Sequence, residues 1–221
     1  MRELVRTRTT LIRDRAREVN RVQKVLETAN VKLSSVATDV LGVSGREMLK
    51  RMVSGESRPE VLAELARGRM RSKREALREA LHGRMTDHHR FLLRGHLEHI
   101  AFLEKSIAKY TERIEACMAP FAMARECLTQ ITGVGPEVAT VLISELGPDM
   151  APWKTDRHVT SWAGMCPGNN ESAGKRKSGR TRKGNPWLRG AWIQAEANRR
   201  TRPRGREPAD ANQKKRLNKN G

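Results

Sequence analysis

The chain has 221 residues and a formal net charge of +19, with a pI near 10.9. So large an excess of lysine and arginine favours a polyanionic partner such as nucleic acid. The sequence shows no apolar run of membrane-spanning length, no signal peptide and no C-x-x-C pair among its three cysteines. These features argue against a membrane protein, a disulfide-stabilised secreted protein and a zinc site, and we expect a cytoplasmic protein.

The first predicted element is a long helix that runs from residue 2 to about residue 33. Apolar residues recur in it at seven-residue intervals, and a second set follows the later ones by three residues. This spacing is typical of a coiled-coil seam. The arginines on the other faces favour a solvated surface over a DNA contact. The two apolar sets are Val5, Ile12, Val19, Leu26 and Leu33, and Val22, Ala29 and Val36.

Short helices are predicted between residues 41 and 85, with Ser44 and Ser57 as caps and Pro59 in a first turn. A second long helix follows over residues 86–118, with apolar residues at three- and four-residue steps. The two long arms can pack as an antiparallel hairpin in one chain, or pair between chains as a homo-oligomer. The helix also carries His96 and His99 at a metal-like spacing. Without a supporting cluster, we interpret them as surface histidines and predict no metal site.

A helical hairpin is predicted next, with the turn Gly133-Val134-Gly135 between two short helices. Pro136 stands at a favoured first helical position, and Gly147 ends the second helix. Glycines at a turn that opens a helix let a phosphate approach the free amides of the first turn. Gly133 and Gly135 are therefore candidate nucleic-acid-binding residues of a helix-hairpin-helix motif. The same residues also fit a tight turn that binds no ligand.

A basic, glycine-rich segment follows over residues 166–185, with Glu171 as its only acid. Its charge favours a polyanion, and its composition does not favour a packed core. Asn185 and Pro186 then begin a last helix, as cap and first residue. The predicted buried face of that helix comprises Trp187, Leu188, Ala191 and Ala195. The candidate nucleic-acid-binding residues of the segment are Lys175, Arg176, Lys177, Arg180, Arg182 and Lys183.

Three parts of this region carry a family resemblance. They are Ile131-Thr-Gly-Val-Gly-Pro, the stretch Ser161-Trp-Ala-Gly-Met-Cys-Pro-Gly-Asn-Asn-Glu-Ser-Ala-Gly-Lys-Arg-Lys-Ser-Gly-Arg, and Gly184-Asn-Pro-Trp-Leu-Arg. Together they resemble the C-terminal transposase domain of the insertion-sequence "one-ten" family, whose relatives include the pilin-gene invertase. We therefore expect an all-α chain with three parts. By resemblance, residues 1–120 form a coiled-coil linker with a short-helix insertion and residues 121–198 the transposase C-terminal domain. The polar, basic composition of residues 199–221 predicts a disordered tail.

The resemblance also implies a catalytic residue. In the family the serine of a Ser-Ala/Gly-Gly-Lys loop is the proposed nucleophile, and it corresponds to Ser172. Attack on a DNA phosphodiester would leave a covalent phosphoserine link, and nearby cations would stabilise the added negative charge. Ser178 is a second candidate. Without the resemblance, a serine in a basic loop is more often a phosphate hydrogen-bond partner or a turn former.

Family members begin with an acidic, ribonuclease-H-like domain that binds metal, whereas this chain opens in the linker. We therefore expect a truncated transposase that is inactive alone, with no cofactor of its own and a divalent metal only together with that domain. DNA is the expected partner, and the resemblance allows a guide RNA as well. The alternative function is a non-enzymatic coiled-coil protein that binds nucleic acid. A purely structural role does not account for six cations in one glycine-rich segment.

Overall fold

Apart from one short two-stranded ribbon, the chain is all-α, as predicted, in a computed structural model that describes residues 1–166, 170–172, 175–178, 181 and 183–201. The chain divides into two compact units. The arm unit is Thr7–Glu112, and the terminal unit combines Met1–Arg6 with the chain from Arg113 onward. Within the described residues, no helix is both long enough and apolar enough to cross a bilayer.

The arm unit contains most of two long helices, α1 (Arg2–Thr28) and α6 (Asp87–Met118). Four short helices lie between them in sequence. A buried cluster that includes Leu26, Met48, Leu77 and Leu93 forms the core of the unit. The short helices are α2 (Leu33–Val36), α3 (Val43–Val53), α4 (Pro59–Ala63) and α5 (Arg74–Leu81), with a 3-10 turn at Gly68–Lys73.

The two long helices pack antiparallel within one chain. Arg8 Nε donates to Thr111 Oγ1 at 2.7 Å, and Arg15 Nε donates to Glu104 Oε1 at 2.8 Å. As the position in α1 rises, the position of its partner in α6 falls, which defines an antiparallel pair. The intrachain alternative is therefore present in the structure. Pairing between chains stays a prediction.

The first helix ends earlier than the apolar spacing predicts. It stops at Thr28, and Asn30 adopts a left-handed backbone conformation with φ 58°. The amide of Val31 then donates to the carbonyl of Leu26 at 2.8 Å, as in the left-handed caps that end many helices. Leu33 is fully buried, but it lies in the separate helix α2. The prediction of one continuous helix to about residue 33 was wrong.

The two serines predicted as helix caps have other roles. The residues that precede α3 and α4 are Gly42 and Arg58. Ser44 lies inside α3, where its Oγ accepts a hydrogen bond from the amide of Arg67 at 2.9 Å. Ser57 Oγ accepts from Arg90 Nη2, also at 2.9 Å. Both hydroxyls therefore connect segments that are distant in sequence, which local capping rules do not reveal.

His96 and His99 meet a buried carboxylate within the arm unit. Their Nδ1 atoms lie 2.7 and 3.3 Å from Glu18 Oε1, and Arg21 Nη1 lies 2.6 Å from Glu18 Oε2. Burial opposes ionisation of Glu18, but the hydrogen bonds from these three side chains together keep its pKa below the ordinary value of 4.5. Among the described residues, no group of three or more histidine, cysteine or acidic side chains could hold a metal ion.

The terminal unit is built on α8 (Pro136–Leu146) and α10 (Pro186–Thr201). Their apolar faces meet at Leu142, Leu188 and Ala195. Val5 of the first helix packs in a second cluster with Ile143 of α8. The other elements are a 3-10 turn (Ala119–Phe121), α7 (Ala122–Thr129), α9 (Asp156–Trp162), and the short strands β1 (Asn170–Ser172) and β2 (Lys175–Ser178).

Candidate nucleic-acid interface

Gly133 is fixed by packing against α10. Its φ is +93°, and a Cβ at this position would lie 2.2 Å from the carbonyl oxygen of Ala195. Asn198 Nδ2 donates to the Gly133 carbonyl at 3.1 Å. Only glycine satisfies both the left-handed backbone and the close approach of α10. This glycine therefore has a structural role in joining the hairpin to the last helix.

Gly135 has different surroundings. It is the residue before α8, and Pro136 takes the first helical position as predicted. A Cβ added to Gly135 would meet nothing within 4 Å, so open space lies beside the first turn of the helix. Such a turn can present amides to an anion. Glu137 also lies in this turn, and its carboxylate would oppose an anion there.

The candidate nucleophile lies in a β-ribbon within the basic segment, where sequence composition indicated only a loop. β1 and β2 pair antiparallel with Ser172 opposite Lys175, and a register shift follows Asn170. Lys175 and Lys183 are exposed. For Ser172, Arg176, Lys177 and Ser178 the structure describes the backbone alone. Arg180, Arg182 and the tail beyond residue 201 lie outside the described residues.

Asn185 caps α10, as the sequence predicted, and also binds a residue of α8. Its Oδ1 accepts from the amides of Trp187 and Leu188 at 3.0 and 3.2 Å. Its Nδ2 donates to Glu145 Oε2 at 2.7 Å. The residue is buried, so these bonds form away from solvent and fix where the basic segment joins the last helix.

Glu145 is a buried charge of the terminal unit, with only 1% of its side chain exposed. Arg6 Nε donates to Oε1 at 2.7 Å and Nη2 to Oε2 at 2.8 Å. Arg2 Nη2 donates to the Glu145 carbonyl at 3.0 Å. Burial opposes ionisation, but the hydrogen bonds from Arg6 and Asn185 outweigh it, so the pKa of Glu145 lies below its ordinary value.

A close backbone contact holds the end of the basic segment against the end of α9. A Cβ on Gly184 would lie 2.2 Å from the amide nitrogen of Gly164. The adjacent amide of Asn185 donates to the carbonyl of Trp162 at 2.8 Å. Gly184 is therefore a packing residue as well as an interruption of the basic run. This contact fixes the end of α9 beside the start of α10.

A groove lies between these two helix ends, and we name it the tryptophan groove. Half of Trp162 is exposed there, and Trp153 lies beside it with ring centroids 6.1 Å apart. On the other side, Arg6 Cζ lies 5.9 Å from the centre of the Trp187 ring. The lining residues are Arg6, Ser161, Trp162, Lys183, Gly184, Asn185, Pro186 and Trp187.

Sequence reasoning did not find Glu145, Arg6 or Trp162. One signal for Glu145 was present, because it follows Val138 and Leu142 on the apolar face of α8. A charged residue on the buried face of a helix indicates that it has a partner in the interior. Arg6 offered no comparable signal, since its partner is 139 residues away.

The model of one protein family, described as transposase IS116/IS110/IS902 family, matches residues 125–210. The matched region includes α8, the ribbon, both walls of the tryptophan groove at Trp162 and Trp187, and α10. No curated protein and no solved structure matches the chain. This match agrees with the sequence resemblance to a C-terminal transposase domain of that family, and it supports a transposase role in insertion-sequence transposition.

Proposed function

We propose that the terminal unit binds DNA and performs a strand-transfer step of insertion-sequence transposition with Ser172 as nucleophile. The observation that carries the proposal is the β-ribbon, which puts Ser172 opposite Lys175 at the end of β1. The family match over the same residues supports DNA as the substrate. The excess of positive charge supports the same partner.

The proposed step exchanges one phosphoester bond for another. The Ser172 hydroxyl loses its proton as its oxygen attacks the phosphorus, and the bond from phosphorus to a deoxyribose oxygen breaks. The leaving oxygen takes up a proton as a free hydroxyl. A phosphoserine diester remains, and a hydroxyl of another strand can reverse the step on it without an external energy source. The positive charge at Lys175 favours the more negative transition state.

The helical hairpin has a proposed supporting role in this function. Open space beside Gly135 would let a DNA phosphate approach the first turn of α8. Gly133 is buried against α10 and would act indirectly, by holding the turn in place. The basic residues from Lys175 to Lys183, including Arg176, Lys177, Arg180 and Arg182, would supply the wider electrostatic contact.

A covalent-adduct assay tests the chemistry. The chain is incubated with end-labelled insertion-sequence DNA, alone and with the acidic domain of a family member, and the products are separated on a denaturing gel. We expect no adduct from the chain alone. With the acidic domain supplied, we expect a protein–DNA adduct that disappears in Ser172→Ala while DNA binding is retained. Ser178→Ala is the matched control, since it removes a hydroxyl from the same ribbon.

Three outcomes decide between the candidate functions. If Ser178→Ala removes the adduct and Ser172→Ala does not, the nucleophile is Ser178. If neither variant affects an active assembly, the serine mechanism is wrong. DNA binding without an adduct under either condition would favour the alternative of a non-enzymatic nucleic-acid-binding protein.

A further inference from the structure

We propose that the tryptophan groove binds one unpaired nucleobase of the DNA, together with the phosphate next to it. This inference rests on the proposed function, because it assumes that the terminal unit engages DNA. It adds a binding site where the basic segment meets α10, and this site is distinct from the ribbon that carries Ser172.

The aromatic side chains supply the first argument. Half of Trp162 is exposed at the end of α9, and it lines the groove together with Trp187 of α10. A large exposed ring beside a concave surface favours a flat, apolar ligand, and stacking of a base on an aromatic side chain contributes about 1–3 kcal/mol. Stacking requires a base that has left the duplex, since paired bases already stack on each other.

The charges near the groove supply the second argument. Arg2 and Arg6 both contact the single carboxylate of Glu145, so this group of three side chains carries a net positive charge. Lys183, which also lines the groove, is exposed. An aromatic surface bordered by positive charge complements a base joined to a phosphate. It does not complement an uncharged apolar ligand, which would gain nothing from the cations.

The rigidity of the groove supplies the third argument. The packing of Gly184 on Gly164 and the hydrogen bond from the Asn185 amide to the Trp162 carbonyl join its two walls through backbone atoms. Arg6 lies over the ring of Trp187 and is itself fixed by Glu145. A site that exists before the ligand arrives loses little conformational entropy on binding, and this offsets part of the cost of unstacking a base.

The test compares two short duplexes of otherwise identical sequence, one fully paired and one with a single unpaired 2-aminopurine. Fluorescence of the 2-aminopurine reports stacking, and a titration gives affinity for each duplex. For the unaltered chain we expect tighter binding and quenched fluorescence with the unpaired base. Trp162→Ala should weaken binding to that duplex about 5- to 150-fold and should change binding to the paired duplex less than about twofold.

Two further variants control the experiment. Trp162→Phe retains a ring and should restore much of the preference for the unpaired base. Ile193→Ala removes another exposed apolar side chain of the terminal unit and should leave both affinities unchanged. A thermal melt of each variant checks folding, which the half-exposed position of Trp162 should leave intact.

The remaining outcomes contradict the inference. Equal loss of both affinities in Trp162→Ala, or no preference for the unpaired base in the unaltered chain, would overturn the base-binding groove and leave the proposed function standing. If the unaltered chain binds neither duplex, the proposed function itself fails and the groove proposal fails with it.

Discussion

Arg6 holds both carboxylate oxygens of Glu145, with Nε 2.7 Å from Oε1 and Nη2 2.8 Å from Oε2. Such a two-pronged arginine–carboxylate pair fixes orientation as well as distance. The same carboxylate accepts a hydrogen bond from Asn185, the cap of α10. One buried group therefore joins the start of α1, the end of α8 and the point where the basic segment meets the last helix.

The first prediction concerns the stability that this pair provides. Arg6→Ala should lower the free energy of unfolding by about 2–3 kcal/mol, because it leaves the buried Glu145 carboxylate with fewer partners. The loss should be smaller than for a fully buried pair, since the arginine is partly exposed. Urea denaturation measures the change. Arg17→Ala is the control, since its pair with Asp14 is exposed, and it should cost less than about 0.5 kcal/mol. Equal effects of the two variants would contradict a special role for Arg6.

The second prediction concerns the stability of the chain at acidic pH. The pKa of Glu145 is lowered in the folded chain, so its contribution to stability is complete above its unfolded pKa and is lost as the pH falls through the folded value. Stability should therefore decline below the ordinary value of 4.5. Glu145→Gln cannot ionise and should be less stable at neutral pH, with a difference from the unaltered chain that shrinks in acid. Denaturation of the unaltered chain and of Glu145→Gln at neutral and acidic pH measures the difference in stability. A difference that stays constant with pH would contradict the prediction.

The third prediction separates the two hairpin glycines. Gly133→Ala should destabilise the terminal unit by at least about 2 kcal/mol, because of the positive φ and the nearby Ala195 carbonyl. Gly135→Ala should cost only about 0.5–1 kcal/mol as a poorer cap, but it should weaken DNA binding. Thermal melts and DNA titrations measure the two effects. Unchanged DNA binding in folded Gly135→Ala would identify the hairpin as a turn that binds no ligand.

The fourth prediction concerns the basic segment. Changing Lys175, Arg176 and Lys177 together to glutamine should reduce the slope of log affinity against log salt by up to about 2.7, if each contacts one phosphate of duplex DNA. Affinity measured over a range of salt concentrations gives the slope. The control removes the same charge from an exposed 3-10 turn of the arm unit and should have little effect. Its substitutions are Arg69→Gln, Arg71→Gln and Lys73→Gln.

The opposite result in the salt titrations would place the DNA interface outside the basic segment. If the three substitutions in the arm unit reduce the slope and those at Lys175, Arg176 and Lys177 do not, the principal DNA contact lies on the arm unit. If the unaltered chain shows almost no salt dependence, the many-phosphate contact proposed for the basic segment is wrong.

The fifth prediction concerns association of the arms between chains. Leu103 is buried in the arm unit, so a charge there would unfold it and would not test association. Phe91 and Phe102 are 72% and 64% exposed on α6 and lie eleven positions apart, about three helical turns. If the arms pair between chains through this face, Phe91→Asp and Phe102→Asp together should yield folded monomers. Light scattering and circular dichroism measure both, and a monomer before substitution would contradict the homo-oligomer.

Local signals predicted much of the fold. Asn185-Pro186 and Gly147 mark helix ends through their own backbone preferences, and the repeating apolar spacing of α6 identifies its buried face. Asn30 carried a local signal as well, since asparagine tolerates the left-handed conformation. The prediction followed the regular apolar spacing and did not use this signal, which is why the end of α1 was misplaced.

The candidate site depends on contacts that no local pattern encodes. Glu145 and Arg6 meet across most of the chain, and Trp162 reaches α10 only because Gly164 and Gly184 permit a close backbone approach. The sequence indicated the basic segment and, through the family resemblance, Ser172. It did not indicate the tryptophan groove, which lies where that segment meets α10. Pairing of distant residues is a property of the folded chain, so spacing rules could not supply it.

The separation of Arg6 from Glu145 has a consequence during synthesis on the ribosome. Residue 145 is added 139 positions after residue 6, which takes roughly 7–28 s at typical translation rates. The arm unit ends at residue 112 and is complete before then. Asn185 follows Glu145 after a further 40 residues, or roughly 2–8 s. The contact between Asn185 and Glu145 can therefore form only after the arm unit has been synthesised, so a nascent chain acquires its arms before its basic segment is fixed at residue 185.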